Sequence, residues 1–327
     1  MTTAALAACK PDGDVLQFSG ATMGTQYNVV AIAPDKSLNQ SQVSAAITDA
    51  LAQVNREMSN WDATSELSRL NAAAADDDVA LSPHLAEVLN AADAVHLASE
   101  GRFDVTVGPL IELWGFGAGN SAPHVPTDAQ IADVMGRTGQ SQVLSVGASS
   151  LRKRDAGAGI YLAAIGKGHG VDRVAGVLRG FGLSDFMVEI GGDLYTSGRN
   201  ANGTPWQIGI ESPVAGARDV HSVIDVSGQG MATSGDYRNF FEVDGKRFSH
   251  IIDPTTGRPI LHNTVSATVL SENAMLADAW ATAMLVLGRT RGLEIAEAQG
   301  LAVSFIDRNG PAGFVTAASS QFLAKQA

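Results

Sequence analysis

Residues 233–260 constrain the fold more than any other stretch of the chain. Asp244-Gly245 lies between two short runs, 239–243 and 247–252, that read as strands. Gly tolerates the positive φ of a tight turn, so this pair signals a hairpin and an antiparallel pairing. Asp253-Pro254 and Thr256-Gly257 punctuate a second turn directly after it. Further strand-like runs occur at 15–19, 26–33, 186–190, 206–210, 220–226, 265–270, 302–306 and 314–317. Helices are expected at 40–58, where Val43, Ile47, Ala50, Leu51 and Val54 share one face, and from Ser82-Pro83 to about residue 99. Others are expected at 127–137, from Gly166 to Gly180, and from a Ser271 cap to a stop at Gly288. Strands outnumber helices and come in hairpin-like runs. The expected fold is therefore α+β, with mixed, largely antiparallel sheets and flanking helices, rather than a doubly wound parallel sheet.

A chain of 327 residues can bury a sizeable core. Residues 15–327 are expected to form one domain of two closely coupled subdomains, with a ligand cleft between them and residues 1–14 as a tail and linker. The formal charge of −12 argues against a nucleic-acid binder, which needs a basic field. It leaves room for an anionic small ligand if a metal or local Lys and Arg supply positive charge. The single cysteine, Cys9, excludes an internal disulfide. Leu6-Ala7-Ala8-Cys9 matches a bacterial lipobox, and the short segment before it reads either as the remainder of a truncated signal or as a chance Ala-rich tail. No other stretch approaches the roughly 18–20 apolar residues of a membrane span.

Four groups of residues could carry chemistry. Gly166-Lys167-Gly168-His169-Gly170 opens a helix, where free N–H groups, the helix dipole and Lys167 would favour an anion; a plain Gly-rich helix start is the alternative. Asp278 and Thr282 are four apart on one helix face, suited either to a hard divalent cation or to a buried Asp satisfied by a hydroxyl. His250 stands among Asp236, Arg238, Asp253 and Arg258, as a general base or as a structural histidine. Met23, Trp61, Phe103, Trp114 and Phe116 could stack on a flat heterocycle or simply pack in the core.

Taken in order, these segments resemble the ApbE family of Mg²⁺-dependent FAD:protein FMN transferases. The resemblance is carried by Thr22-Met23-Gly24-Thr25, Met58-Ser59-Asn60-Trp61-Asp62, Ser65-Glu66-Leu67-Ser68-Arg69-Leu70-Asn71 and Phe103-Asp104-Val105-Thr106-Val107-Gly108-Pro109. It continues through Trp114-Gly115-Phe116-Gly117, Ala164 to Gly168 with Asp172, Ile190-Gly191-Gly192-Asp193 and Thr233-Ser234-Gly235-Asp236-Tyr237. His250-Ile251-Ile252-Asp253-Pro254, Thr256-Gly257-Arg258-Pro259 and Ala277-Asp278-Ala279 with Thr282 complete it.

The resemblance implies cleavage of the FAD pyrophosphate, transfer of FMN to a Ser/Thr hydroxyl of a partner protein, and release of AMP. It implies Mg²⁺ on Asp278, Thr282 and the carbonyl of Ala164, and FAD contacts at Met23, Trp61, Arg102, Phe103, Asp104 and Lys167. It makes His250 the base. One position departs from the pattern. Where the family usually has an FAD-contacting Asp, this chain has Tyr161, which offers a phenol in place of a carboxylate. The implied partners are membrane-bound redox subunits with a flavinylation motif, and the implied location is the periplasmic face of the inner membrane, with a lipid anchor at Cys9 as the only membrane attachment. Two other readings use the same residues: an Mg²⁺-dependent FAD pyrophosphatase with water as nucleophile, and a periplasmic FAD-binding protein without turnover.

Overall fold

The computed structural model describes residues 14–34, 38–117, 122–214, 216 and 219–326. The lipobox at Leu6-Ala7-Ala8-Cys9 lies outside them.

An eight-stranded sheet organises the chain. Its strands, from one edge to the other, are Asp14–Thr22, Thr25–Ala33, Asp185–Ile190, Asp193–Ser197, Gln229–Gly235, Thr264–Ser271, Ala302–Arg308 and Phe314–Ala318. Every neighbouring pair is antiparallel, and the fold is mixed α+β. The first two strands are joined by a turn at Met23 and Gly24, both at positive φ (48° and 71°). Alternation in Thr25–Ala33 buries Tyr27, Val29, Ala31 and Ala33 against the helices Gln40–Met58 and Gly166–Gly180, where they meet Val43, Ile47, Val171 and Val174. Other sheet residues, among them Leu194, Met231, Val265 and Ile306, pack with Trp206, Ile208 and Ile224 of the hairpin Trp206–Glu211/Val220–Val226. Two further strands are not revealed by alternation. Asp193–Ser197 is buried almost throughout, and Gln229–Gly235 is made of small residues because helix backbone lies against it. A Cβ on Gly230 would stand 2.3 Å from the carbonyl carbon of Asn273.

The long helix Ala274–Gln299 departs from its expected bounds at both ends. Ser271 still belongs to a strand, and the cap is Asn273, whose side chain accepts from the Leu276 N–H at 2.8 Å. Gly288 does break the helix, at φ 70° and ψ 167°, but the helix resumes and runs on to Gln299. The Arg289 N–H there donates to the Thr264 hydroxyl at 2.9 Å, which pairs one of the donors freed at the break.

Two of the excursions from the sheet bear on the site. One, between residues 33 and 185, carries helices and the small sheet Asp78–Ala80, Leu144–Val146 and Ser150–Lys153. The other, between 235 and 264, carries the expected hairpin, Phe240–Val243 with Lys246–Ser249. They meet in a satellite core of Leu110, Trp114, Ile131, Val134 and Ile252.

Gly168 packs directly on the start of the long helix, where a Cβ would lie 2.2 Å from the Ala274 carbonyl oxygen. Gly168→Ala is expected to push the two helices apart and to cost on the order of 1–3 kcal/mol, the usual penalty of overpacking. Urea denaturation of the two forms side by side measures it, and equal midpoints would contradict the packing argument.

Candidate functional site

Two cavities flank the segment 161–167. The larger group of polar residues lines a cleft of about 490 Å³, which includes Lys167, Asp278, Thr282, Tyr161, Arg102 and His250. A second cavity of about 530 Å³ lies on the other side, against Met23, Met58 and Trp61. Ala163 and Lys167 belong to both walls. The fold thus sets two spaces side by side with one ammonium at their boundary.

Lys167 sits in the first turn of Gly166–Gly180, a helix with no side-chain cap. Its Nζ pairs with Asp193 Oδ2 and lies 3.8 Å from Asp278 Oδ1. The Gly168 N–H, one of the free donors expected at this helix start, donates to Asp278 Oδ2 at 3.1 Å. The helix dipole therefore acts on the protein's own carboxylate. Asp172 ties the same two helices together by accepting from the N–H groups of Ala274 (2.9 Å) and Met275 (2.8 Å). Burial pushes the Asp172 carboxyl up to about 6.

Asp193 and Asp278 are both buried. Burial raises the pKa of each; the neighbouring Asp278 pushes Asp193 further up, and Lys167 opposes the rise in both. Burial also disfavours the Lys167 charge, but Asp278 and Asp193 outweigh it and hold the lysine protonated. Two carboxyls against one ammonium leave a site that favours additional positive charge. Thr282 adds a hydroxyl, at 3.0 Å from that of Ser234, and Ala164 lines the same cleft. Carboxylate, hydroxyl and carbonyl oxygens are the donor set a hard divalent cation takes, so the residues present fit Mg²⁺.

His250 reaches this cleft from the second excursion. Its Nδ1 lies 3.1 Å from the Asn239 carbonyl oxygen. That contact makes Nδ1 the protonated nitrogen and leaves Nε2 with a free lone pair. Burial lowers the pKa of the ring, against the Asn239 carbonyl and Asp236, which raise it. Its other sequence neighbours are engaged in ion pairs. Asp236 receives both terminal nitrogens of Arg308, at 3.0 and 2.8 Å. Arg238 pairs with Glu211, and Arg258 with Asp128 at 2.6 Å.

The remaining expected contacts fall in different places. Arg102 lines the cleft and is held by Asp253 at 2.6 Å. Phe103 is 1% exposed and packs in the main core, with its carbonyl accepting from His96 Nδ1 at 2.7 Å. The Asp104 carboxylate accepts from the N–H groups of Thr106 and Gln140, both at 2.7 Å, and so braces the loop. The Tyr161 ring packs against Gly108, where a Cβ would come within 1.9 Å of it. Met23 and Trp61 border the second cavity, and Trp61 is 78% exposed. Asp193 and Asp253 had no assigned role in the sequence. For Asp193 the signal was the Gly191-Gly192 turn, both residues at positive φ, which turns the chain so that Asp193 faces Lys167.

Fold and cleft together define a mixed α+β protein whose nucleotide-sized cleft sets a histidine opposite a lysine-bridged pair of acids. The profile of the ApbE family matches residues 23–305, and the chain belongs to that family. It is 41% identical over 317 residues to the FAD:protein FMN transferase of Vibrio cholerae, a match covering 97% of this chain and 94% of the relative. The solved flavin transferase ApbE from Vibrio cholerae superposes with a TM-score of 0.89 at 40% identity, over 96% of this chain and 99% of that one. The apo form of the Pseudomonas stutzeri flavinyl transferase ApbE gives 0.88 at 34% identity, over 96% and 97%.

Lys167→Met would leave two buried carboxyls facing each other. It is expected to destabilise the metal-free protein by on the order of 2 kcal/mol, below the roughly 3–5 of a fully buried pair because Lys167 is partly exposed. Adding Asp193→Asn should recover about half. A thermal double-mutant cycle reads the coupling, and additive losses would show that the two side chains act independently.

Proposed function

We propose that this chain transfers the FMN half of FAD to a partner protein, that Mg²⁺ assists, that the acceptor is a Ser or Thr hydroxyl, and that AMP is released. One observation carries the reading: a neutral histidine, a lysine and the oxygens of Asp278 and Thr282 face a single cleft. The names of the relatives supply the flavin.

In this reading the acceptor oxygen attacks the FMN-side phosphorus of FAD. The bond from that phosphorus to the bridging oxygen breaks, and the bridging oxygen leaves with AMP. His250 Nε2 takes the hydroxyl proton, which makes a weak nucleophile competent. The Asn239 carbonyl, bound to Nδ1–H, fixes the tautomer and supports the imidazolium that forms. Lys167 places its ammonium at the boundary of the two cavities, where a pyrophosphate linking two bulky rings would lie. Arg102, held by Asp253, adds a second positive group on the same cleft. Asp278, Thr282 and the Ala164 carbonyl would hold Mg²⁺, which when bound supplies charge neutralisation for phosphoryl transfer. Tyr161 presents an aromatic wall with a phenol whose pKa burial raises.

Incubation with FAD, Mg²⁺ and a validated acceptor domain should give a fluorescent acceptor band in a denaturing gel, and chelation should abolish it. His250→Ala should slow labelling by about 10²-fold or more. Because burial lowers the histidine pKa below its ordinary 6.5, the rate should climb with pH up to that lowered value and stay level through neutrality. An unlabelled acceptor beside a working Vibrio cholerae enzyme would overturn the reading, and AMP release without labelling would replace it with FAD hydrolysis.

Leu6-Ala7-Ala8-Cys9 supports a proposal on location: the native protein is a lipoprotein on the periplasmic face of the inner membrane, close to membrane-bound redox acceptors. Cys9→Ser should shift it from the membrane to the soluble periplasmic fraction. Recovery of the unsubstituted native protein, unlipidated, in the cytoplasm would refute this.

A further inference from the structure

The histidine stands at the end of a row of aromatic rings. Trp114 and Phe248 stack with centroids 5.5 Å apart and Phe248 and Phe241 at 5.4 Å, while Phe241 and Phe116 meet at a tilt, 5.4 Å apart. Phe116 then meets the His250 ring at 6.3 Å, the planes crossing at 64°. The far end of the row is fixed. Trp114 is buried and its Nε1–H donates to the Gly257 carbonyl at 2.9 Å. The near end is fixed by backbone: the Phe116 N–H donates to the Ile111 carbonyl at 3.0 Å, and the preceding Gly115, at φ 79°, lies where a Cβ would come within 2.6 Å of Pro123.

We propose that Phe116 is the positioning residue for His250, acting as an aromatic stop that sets the tilt of the imidazole and shields it from water. Beyond Phe116, the ring is held, among the described residues, by one hydrogen bond, from Nδ1 to the Asn239 carbonyl. A single bond selects the tautomer but leaves the ring free to swing about it, and an aromatic ring set edge-on to it restricts that freedom at little entropic cost. Charge does not do this work. Asp236 is bound by Arg308, and the charged groups sharing the cleft, Arg102 with Asp253, Arg238 with Glu211, and Lys167 with Asp193 and Asp278, are all paired. The burial that lowers the histidine pKa is consistent with a shield of this kind. The row also explains why the second excursion docks on the first: the two meet through these rings, and the docking brings His250 to the cleft.

The inference rests on His250 as the base of the proposed transfer, so the test reads the ring without turnover as well as with it. In the full chain, the His250 Cε1–H is titrated by NMR, assigned by its loss in His250→Ala, for wild type, Phe116→Leu, Phe116→Ala and Phe116→Tyr. FAD affinity and the pH profile of acceptor labelling are measured on the same proteins. Phe116→Leu, which keeps most of the volume but not the flat ring, should raise the histidine pKa toward its ordinary value and slow labelling about ten-fold, a fraction of the roughly 10²–10⁴ a general base contributes. FAD affinity should stay within two-fold, and Phe116→Tyr should restore both titration and rate. A folded Phe116→Leu or Phe116→Ala protein with the wild-type titration curve overturns the inference. So does a loss confined to stability or FAD affinity. If wild type itself labels no acceptor, the transfer reading fails on its own, while the titration still decides whether Phe116 sets the ring.

Discussion

The contact on which the site depends is Lys167 between Asp193 and Asp278. It joins three parts of the chain that sequence keeps far apart: a helix start, the strand after a Gly-Gly turn, and the face of the long helix. Its chemistry demands the surrounding architecture. Buried carboxyls are tolerated only when something positive or donating meets them, so the lysine, the Gly168 N–H and the helix dipole must all converge there. That convergence is possible only because Gly168 and Gly230 let the two helices and the central strands approach at backbone distance. The Ala-rich first half of the long helix, with Ala277, Ala279, Ala281 and Ala283 fully buried, serves the same close packing.

Against this rigid acidic side stands a differently built one. His250 belongs to no strand of the main sheet. It comes with a small hairpin whose support is the satellite core around Trp114 and Ile252. The cleft is therefore formed by two structures with separate sources of stability, one based on sheet and helix packing and the other on aromatic contact. The lysine, shared by both cavities, is where a ligand spanning them would touch the rigid side.

Much of this was legible in sequence, for identifiable reasons. The hairpin at Asp244-Gly245, the helix 40–58 and the Ser82 cap follow from turn chemistry and a 3.6 period, and all three lie where expected. The strand Asp193–Ser197 escaped because it is buried almost throughout, and Gln229–Gly235 because its mostly small residues show no apolar alternation. The second half of the long helix escaped because Gly288 reads as a stop, whereas a tertiary contact, the Thr264 hydroxyl, meets the chain where it restarts. Within the site, the motif residues Lys167, Asp278, Thr282 and His250 do reach one cleft, whereas Met23 and Trp61 line its neighbour. Phe103 and Asp104 show the limit of carrying roles by motif. The segment borders the cleft, but the aromatic ring is core and the carboxylate braces its own loop. No sequence period reports which way such side chains turn.

The sheet pairing also dictates when this protein can become competent during folding. On the side away from the first strand, the second strand pairs with Asp185–Ile190, and the bond from Asn28 to Glu189 spans 161 positions. Contacts that distant require a large loop to close before any stabilisation is returned, which makes them late and slow events. Asp193 lies just beyond that partner strand, so the environment of Lys167 is completed only after the N-terminal hairpin has docked. A nascent chain still emerging from its ribosome therefore lacks a finished site, and activity must wait for the whole sheet to close.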